Sequence, residues 1–181
     1  MNTVCHTIRV KETLCGGRLY SAIHTSALDN GSVIFLGALK EGETEIYEAV
    51  VPTTALIATE QPMLVMTPEI MYDQSRKAMN ALGNFVNKAN KAFPVVPLSA
   101  FDEIEISKEG FTGETPTVGK YVVLKNSSTK WDVVNDKPES GNVLYGKITS
   151  SRKSSLPTFL GGDGKLFPQA YDLFTITFVR Q

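Results

Sequence analysis

The chain has 181 residues, a formal net charge of −1, and 20% charged residues beside 42% hydrophobic ones. These values exclude a wholly disordered chain. They also argue against a protein whose main partner is nucleic acid, because phosphate binding needs a basic surface. No run of about 18 apolar residues predicts a transmembrane helix, and the start of the chain lacks a signal-peptide pattern. We therefore expect no membrane partner, no specific nucleic-acid partner and no membrane export.

Residues 1–28 show no clear core pattern and are predicted to form an N-terminal arm or an edge strand. Residues 3–10 favour an extended conformation, and the sequence CGGR at residues 15–18 is typical of a loop. Two interpretations stay open at this point. One is an arm that becomes ordered only against a partner, and the other is a strand that pairs within its own domain.

A β-hairpin is predicted over residues 29–51. Asn30 and Gly31 tolerate positive φ and mark a turn, and the apolar run at residues 32–36 then reads as a buried strand ended by Gly37. A second strand follows at residues 46–51. The methionine-rich run at residues 63–66 is predicted to lie in the core, because methionine fills apolar gaps.

The segment from residue 72 to residue 93 is predicted to be a connector. A short helix is favoured at residues 74–82, with Asp73 as its N-cap and Gly83 as its stop, and an irregular connector is the alternative. It carries the aromatic and basic side chains Tyr72, Arg76, Lys77, Phe85 and Phe93.

The second half of the chain reads as strands separated by turns. Residues 101–125 predict a strand that starts with Phe101, a bridge rich in glycine and proline, and a second strand, while residues 130–134 predict a return strand. A further strand at residues 143–149 contains Gly146, which suggests a bulge or a close backbone approach. Residues 150–155 read as a solvated loop. In residues 173–179, Phe174, Ile176 and Phe178 share one face by period two.

These elements predict a mainly β fold: an antiparallel β-sandwich or barrel-like domain with an extended N-terminal arm and one short helix or irregular connector. Residues 29–181 are expected to form one β-rich domain, with a sub-boundary near residues 94–100.

No constellation of residues predicts catalysis, a metal site or a cofactor. The cysteines and histidines, at positions 5, 15, 6 and 24, do not have the spacing of zinc ligands. Asp102, Glu103 and Glu105 lie close in sequence, and we interpret them as a solvated strand edge rather than as paired acid catalysts. Trp131 is expected to be a wall of the core rather than a platform for a ligand.

Three segments of the chain resemble a known family. They are DNGSVIFLGAL with GETEIYEAVVP in residues 29–52, the order YD followed by FVNKANK in residues 72–91, and EISKEGFTGETPTVGKYV in residues 105–122. These patterns are similar to those of the decoration or cement proteins on the heads of tailed bacteriophages. Where that family more often carries an Arg after the last Lys, this chain has Phe93 and Pro94, so any contact of that Arg cannot be transferred.

The resemblance implies a non-enzymatic virion protein that stabilises the outside of a capsid assembled in the host cytoplasm. Its expected partners are the major capsid protein and neighbouring copies of itself. The expected capsid contacts lie in the N-terminal arm and the connector: Ile8, Arg9, Tyr72, Arg76, Lys77, Phe85 and Phe93. The alternative is a small β-barrel binding module for carbohydrate or nucleic acid that uses Trp131, Tyr121 and Tyr145 for stacking.

Overall fold

The computed structural model describes residues 2–14, 17–68, 82–160 and 166–180. Within these ranges the protein is mainly β, as predicted. The strands are β1 (Cys5–Arg9), β2 (Tyr20–Ile23), β3 (Val33–Leu39), β4 (Ile46–Val50), β5 (Met63–Val65), β6 (Ala92–Pro97), β7 (Glu103–Ser107), β8 (Phe111–Gly113), β9 (Tyr121–Val123), β10 (Trp131–Val134), β11 (Leu144–Leu160) and β12 (Leu166–Arg180). Among the described residues the helices are α1 (Lys11–Leu14) and α2 (Thr54–Thr59), and 3-10 turns cover Leu82–Asn84 and Lys108–Gly110.

Five strands close into a barrel in the order β2-β4-β3-β5-β6. The predicted hairpin is part of this barrel. Its strands β3 and β4 pair antiparallel and follow the turn at Gly31, where φ is 79°. The barrel closes because β2 pairs in parallel with β4 on one side and antiparallel with β6 on the other. Closure leaves no unpaired edge among these strands.

The other seven strands form one sheet in the order β1-β7-β12-β11-β9-β10-β8. All neighbouring pairs are antiparallel except β8 and β10, which are parallel. Strand β12 is an interior strand of the sheet, between β7 and β11, and β1 forms one edge. The side chains of Phe174, Ile176 and Phe178 lie in the core, which confirms the predicted period of two.

One apolar core joins the barrel and the sheet. Phe35 of the barrel belongs to the same buried cluster as Trp131 and Phe178 of the sheet. The rings of Trp131 and Phe178 lie 5.0 Å apart between centroids, so Trp131 is a wall of the core, as predicted. Gly146 allows a close approach at this point, because an added Cβ would lie 2.7 Å from Val122 Cγ2 and would also clash with Ile176.

Three details differ from the sequence predictions. Residues 150–155 are not a loop but part of β11, and residues 150–153 are exposed on it. Gly37 does not end β3, which continues to Leu39 through an irregularity in its register. Helix α2 was not predicted, although Thr53 is a favourable N-cap whose hydroxyl accepts a hydrogen bond from the Leu56 N–H. The predicted helix at residues 74–82 lies outside the described residues, apart from Leu82.

The N-terminal region is divided between both parts of the fold. Strand β1 is an edge strand of the sheet, whereas β2 is paired on both sides within the barrel, so these residues do not form a free arm. The barrel strands end at Pro97 and the sheet continues from Glu103, close to the sub-boundary expected near residues 94–100.

Candidate interaction surface

Phe101 occupies an unusual position at the end of the sheet. Its backbone φ is 70°, and its side chain is 82% exposed. A bulky residue rarely adopts positive φ, because its Cβ then crowds the following carbonyl oxygen at a cost of roughly 1–2 kcal/mol. The sequence prediction placed Phe101 at the start of a strand, and this was wrong. The residue belongs to the turn before β7.

The buried carboxylate of Asp102 holds this turn in place. One of its oxygens accepts a hydrogen bond from the Ser99 N–H at 2.7 Å, and the other accepts one from the Lys11 N–H at 2.9 Å. The Phe101 N–H donates to the Phe178 carbonyl at 2.8 Å. These bonds fix the backbone on both sides of Phe101, which explains how the strained conformation persists.

The sequence carries a signal for this turn. Ser99 and Asp102 have the spacing of a capping box, in which the carboxylate of the fourth residue bonds back to the backbone N–H of the first. The interpretation of Asp102 as a solvated edge residue is therefore wrong. The exposure of Phe101 follows from the positive φ, which sequence spacing alone does not reveal.

Two of the predicted contact residues lie beside this turn, at the end of β1. Arg9 is paired in register with Glu103, and its guanidinium lies 3.8 Å from the Glu103 carboxylate while its side chain stays 74% exposed. Ile8 lies at the register irregularity of β1 and is 43% exposed. We call Ile8, Arg9 and Phe101 the end surface. It combines two exposed apolar side chains with a cation.

A buried carboxylate fixes β1 to the sheet beneath the end surface. Glu105 of β7 accepts two hydrogen bonds from Arg152 of β11, at 2.6 and 2.5 Å, and lies 3.2 Å from His6 Nδ1 of β1. The side chain of Arg152 thus reaches across β12 to the neighbouring strand. The predicted solvated edge is wrong for Glu105 too, because β7 is an interior strand and Glu105 is only 4% exposed.

The surroundings of Glu105 lower the pKa of its carboxyl group. Burial raises the pKa of Glu105, but the hydrogen bonds and positive charge of Arg152 and His6 outweigh burial and hold the pKa below its ordinary value of 4.5. The same hydrogen bond raises the pKa of Arg152. Glu105 and Arg152 are therefore both ionised at neutral pH and form a charged clamp that reaches from β7 across β12 to β11.

Glu105→Gln is expected to lower the free energy of unfolding at neutral pH by about 1–3 kcal/mol, because Arg152 loses a bidentate charged acceptor. A folded-state pKa below the unfolded one adds stability that is complete above the unfolded pKa and is lost as the pH falls through the folded pKa. The difference between wild type and variant should therefore shrink below pH 4.5. Urea unfolding measured from neutral to acidic pH checks this.

Glu103→Gln is the matched control, since Glu103 lies on the same strand and face but meets Arg9 only at 3.8 Å. We expect a change below about 0.5 kcal/mol for this exposed pair. Equal losses in the two variants at neutral pH, or a Glu105→Gln deficit that persists undiminished in acid, would contradict the clamp.

The remaining predicted contact residues have different outcomes. Tyr72, Arg76 and Lys77 lie outside the described residues. Phe85 is half-buried, and its carbonyl accepts a hydrogen bond from Asn2. Phe93 is buried in the barrel core at 4% exposure, so its ring is not presented to a partner. Phe93 was predicted to contact the capsid, but β6 directs its side chain into the barrel core.

The aromatic side chains proposed for ligand stacking do not form an open platform. Trp131 is fully buried, and Tyr145 is also buried. The Tyr121 ring lies 6.1 Å from that of Tyr145, and Lys147 covers it at 5.9 Å. The stacking role suggested for Trp131 is therefore wrong.

No family model, no curated protein and no solved structure matches the chain. Within the described ranges, none of the helices combines the length and apolar character needed to span a membrane. In the same part of the chain, no three His, Cys, Asp or Glu side chains are grouped to hold a metal ion.

Proposed function

We propose that the protein is a non-enzymatic structural protein of a tailed-phage virion that binds the outside of the capsid and bridges subunits of the major capsid protein. The observation that carries the proposal is Phe101, an exposed aromatic side chain held in a strained backbone conformation. The fold keeps this conformation although a glycine would relieve it. Strained conformations of this kind cluster at functional positions.

The chemistry of the end surface supports a protein contact. Aromatic side chains and arginine dominate the binding energy of protein interfaces, and Phe101 and Arg9 supply one of each. The hydrogen bonds of Asp102 and Glu105 fix the turn and β1 before any partner arrives. This rigidity lowers the entropy lost on binding.

A repeating shell suits a contact of this size. Three exposed side chains form a small surface, and a single contact of this kind binds weakly. A copy that touches two neighbouring capsid subunits gains from the high effective concentration of the second site once the first is occupied. Many such bridges together resist the opening of the shell. In this proposal the protein lies on the outer surface of the capsid, in virions that are assembled in the host cytoplasm.

Binding to undecorated phage heads tests this function. The purified protein is mixed with heads that lack it and sedimented, and the bound amount is measured against the free concentration. We expect saturation at a fixed ratio to the major capsid protein, with decorated heads as the control that takes up no more. A bound amount that rises without saturation, or an absence of binding, would overturn the proposal.

A further inference from the structure

A groove lies between the barrel and the sheet, with a volume of about 390 Å³. Apolar side chains from both parts of the fold line it, among them Pro62, Leu98 and Leu144. Its walls are fixed by hydrogen bonds, since the Leu98 N–H donates to the Pro62 carbonyl and the amide of Gln61 donates to the Leu98 carbonyl, both at 3.0 Å. The groove is therefore formed before anything binds. Its volume corresponds to roughly a dozen water molecules, enough for a few side chains.

Two cations line this groove. Lys11 and Arg180 are both exposed, and neither forms an ion pair with a described carboxylate. Elsewhere on the sheet, Arg9 and Arg152 do have acidic partners. The Asp102 carboxylate, which bonds to the Lys11 N–H, already accepts a second backbone hydrogen bond from Ser99, and no described acidic residue lines the groove. The groove thus offers positive charge to an incoming anion.

The same chain carries a segment with the complementary charge. The loop between β3 and β4 presents Glu41, Glu43 and Glu45, and all five residues from 41 to 45 are exposed. The loop is a closed hairpin tip, since the Lys40 N–H donates to the Ile46 carbonyl at 2.9 Å. None of the three glutamates forms an ion pair with a described cation, and Lys40 lines a separate cavity beside Glu48. The tip is therefore acidic, and its three carboxylates form no ion pair with a described residue.

We propose that the acidic tip at residues 41–45 of one copy docks in the groove of a second copy, where its carboxylates meet Lys11 and Arg180. A pair of copies that makes this contact once leaves one tip and one groove open and builds rings or chains, whereas a pair that makes it reciprocally is a two-fold dimer. A few exposed ion pairs give weak association in solution. Copies held side by side on a shell gain from effective concentration, but the contact itself does not depend on the proposed shell binding.

Sedimentation velocity tests the contact at low salt and at protein concentrations up to about 1 mM, where a complex with a Kd near 1 mM is half populated. We expect concentration-dependent association that salt weakens. Reversing the groove with Lys11→Glu and Arg180→Glu should weaken association at least about tenfold. Reversing the tip with Glu41→Lys, Glu43→Lys and Glu45→Lys should do the same. A 1:1 mixture of the two variants should associate again, because their opposite charges meet.

Lys88→Glu with Lys91→Glu is the matched control, as it reverses two exposed lysines that do not line the groove. This variant changes the net charge as much as the groove variant does, so at the same low salt it should associate more strongly than the groove variant. A wild-type protein that stays monomeric throughout would overturn the proposal. So would a groove variant that associates as strongly as the wild type, or a mixture that associates no more than its two components alone.

Discussion

Phe101→Gly is expected to weaken binding to undecorated heads at least about tenfold, while the free energy of unfolding stays constant or rises by up to about 1 kcal/mol. Binding falls because the aromatic side chain of the end surface is lost. Stability does not fall with it, because the ring is 82% exposed and glycine adopts a φ of 70° without strain. Sedimentation with heads measures the first effect, and urea unfolding measures the second.

Two further variants separate the contributions. Phe101→Ala removes the ring but keeps a Cβ at positive φ, so it should bind as weakly as Phe101→Gly and be the less stable of the two. Leu19→Ala removes another exposed apolar side chain, distant in sequence from the end surface, and should leave binding unchanged. Unaltered binding of Phe101→Gly, or a loss of stability above about 1 kcal/mol, would contradict the role given to Phe101.

Trp131→Ala is expected to have the largest effect on stability, with a loss of roughly 3–5 kcal/mol in the free energy of unfolding. The side chain is fully buried between the two parts of the fold and stacks near Phe178, so its removal leaves a cavity in the shared core. Because a domain has only about 5–15 kcal/mol of stability in total, the variant should melt far earlier. Circular dichroism is the suitable measurement, since Trp131 is the only tryptophan.

Trp131→Phe provides the contrast. The smaller ring keeps most of the contact with Phe178 and removes an indole Nε1 that has no hydrogen-bond acceptor among the described residues. The expected loss is about 1–2 kcal/mol, less than half that of the alanine variant. If phenylalanine proved as destabilising as alanine, the indole N–H would have to be making a bond that matters.

Local patterns predicted much of this fold. The turn at Asn30 and Gly31 and the apolar runs around it were sufficient to place the hairpin of β3 and β4. The alternation of Phe174, Ile176 and Phe178 identified the buried face of β12. In each case the signal lies within a few residues, where backbone preference and periodicity act directly.

The barrel closure and the candidate surface could not be predicted in the same way. Closure depends on the parallel pairing of β2 with β4, which no local sequence pattern predicts. Glu105 reads as a solvated residue until Arg152, 47 positions later, is placed beside it. Phe101 reads as an ordinary strand residue because its exposure depends on the bonds of Asp102 to Lys11 and Ser99. Long-range pairing decides all three.

The position of β12 inside the sheet, although it is the last strand in the sequence, has a consequence for how the chain is synthesised. All strands of the barrel have left the ribosome once Pro97 has emerged, so the barrel can form early. The residues of β12 that pair with β7 begin at Leu173, so about 65 further residues must be translated after β7 before the two strands pair. During that interval Ile104 and Ile106 lack their final cover, and a nascent chain that stalls before residue 166 would display them to chaperones or to other nascent chains.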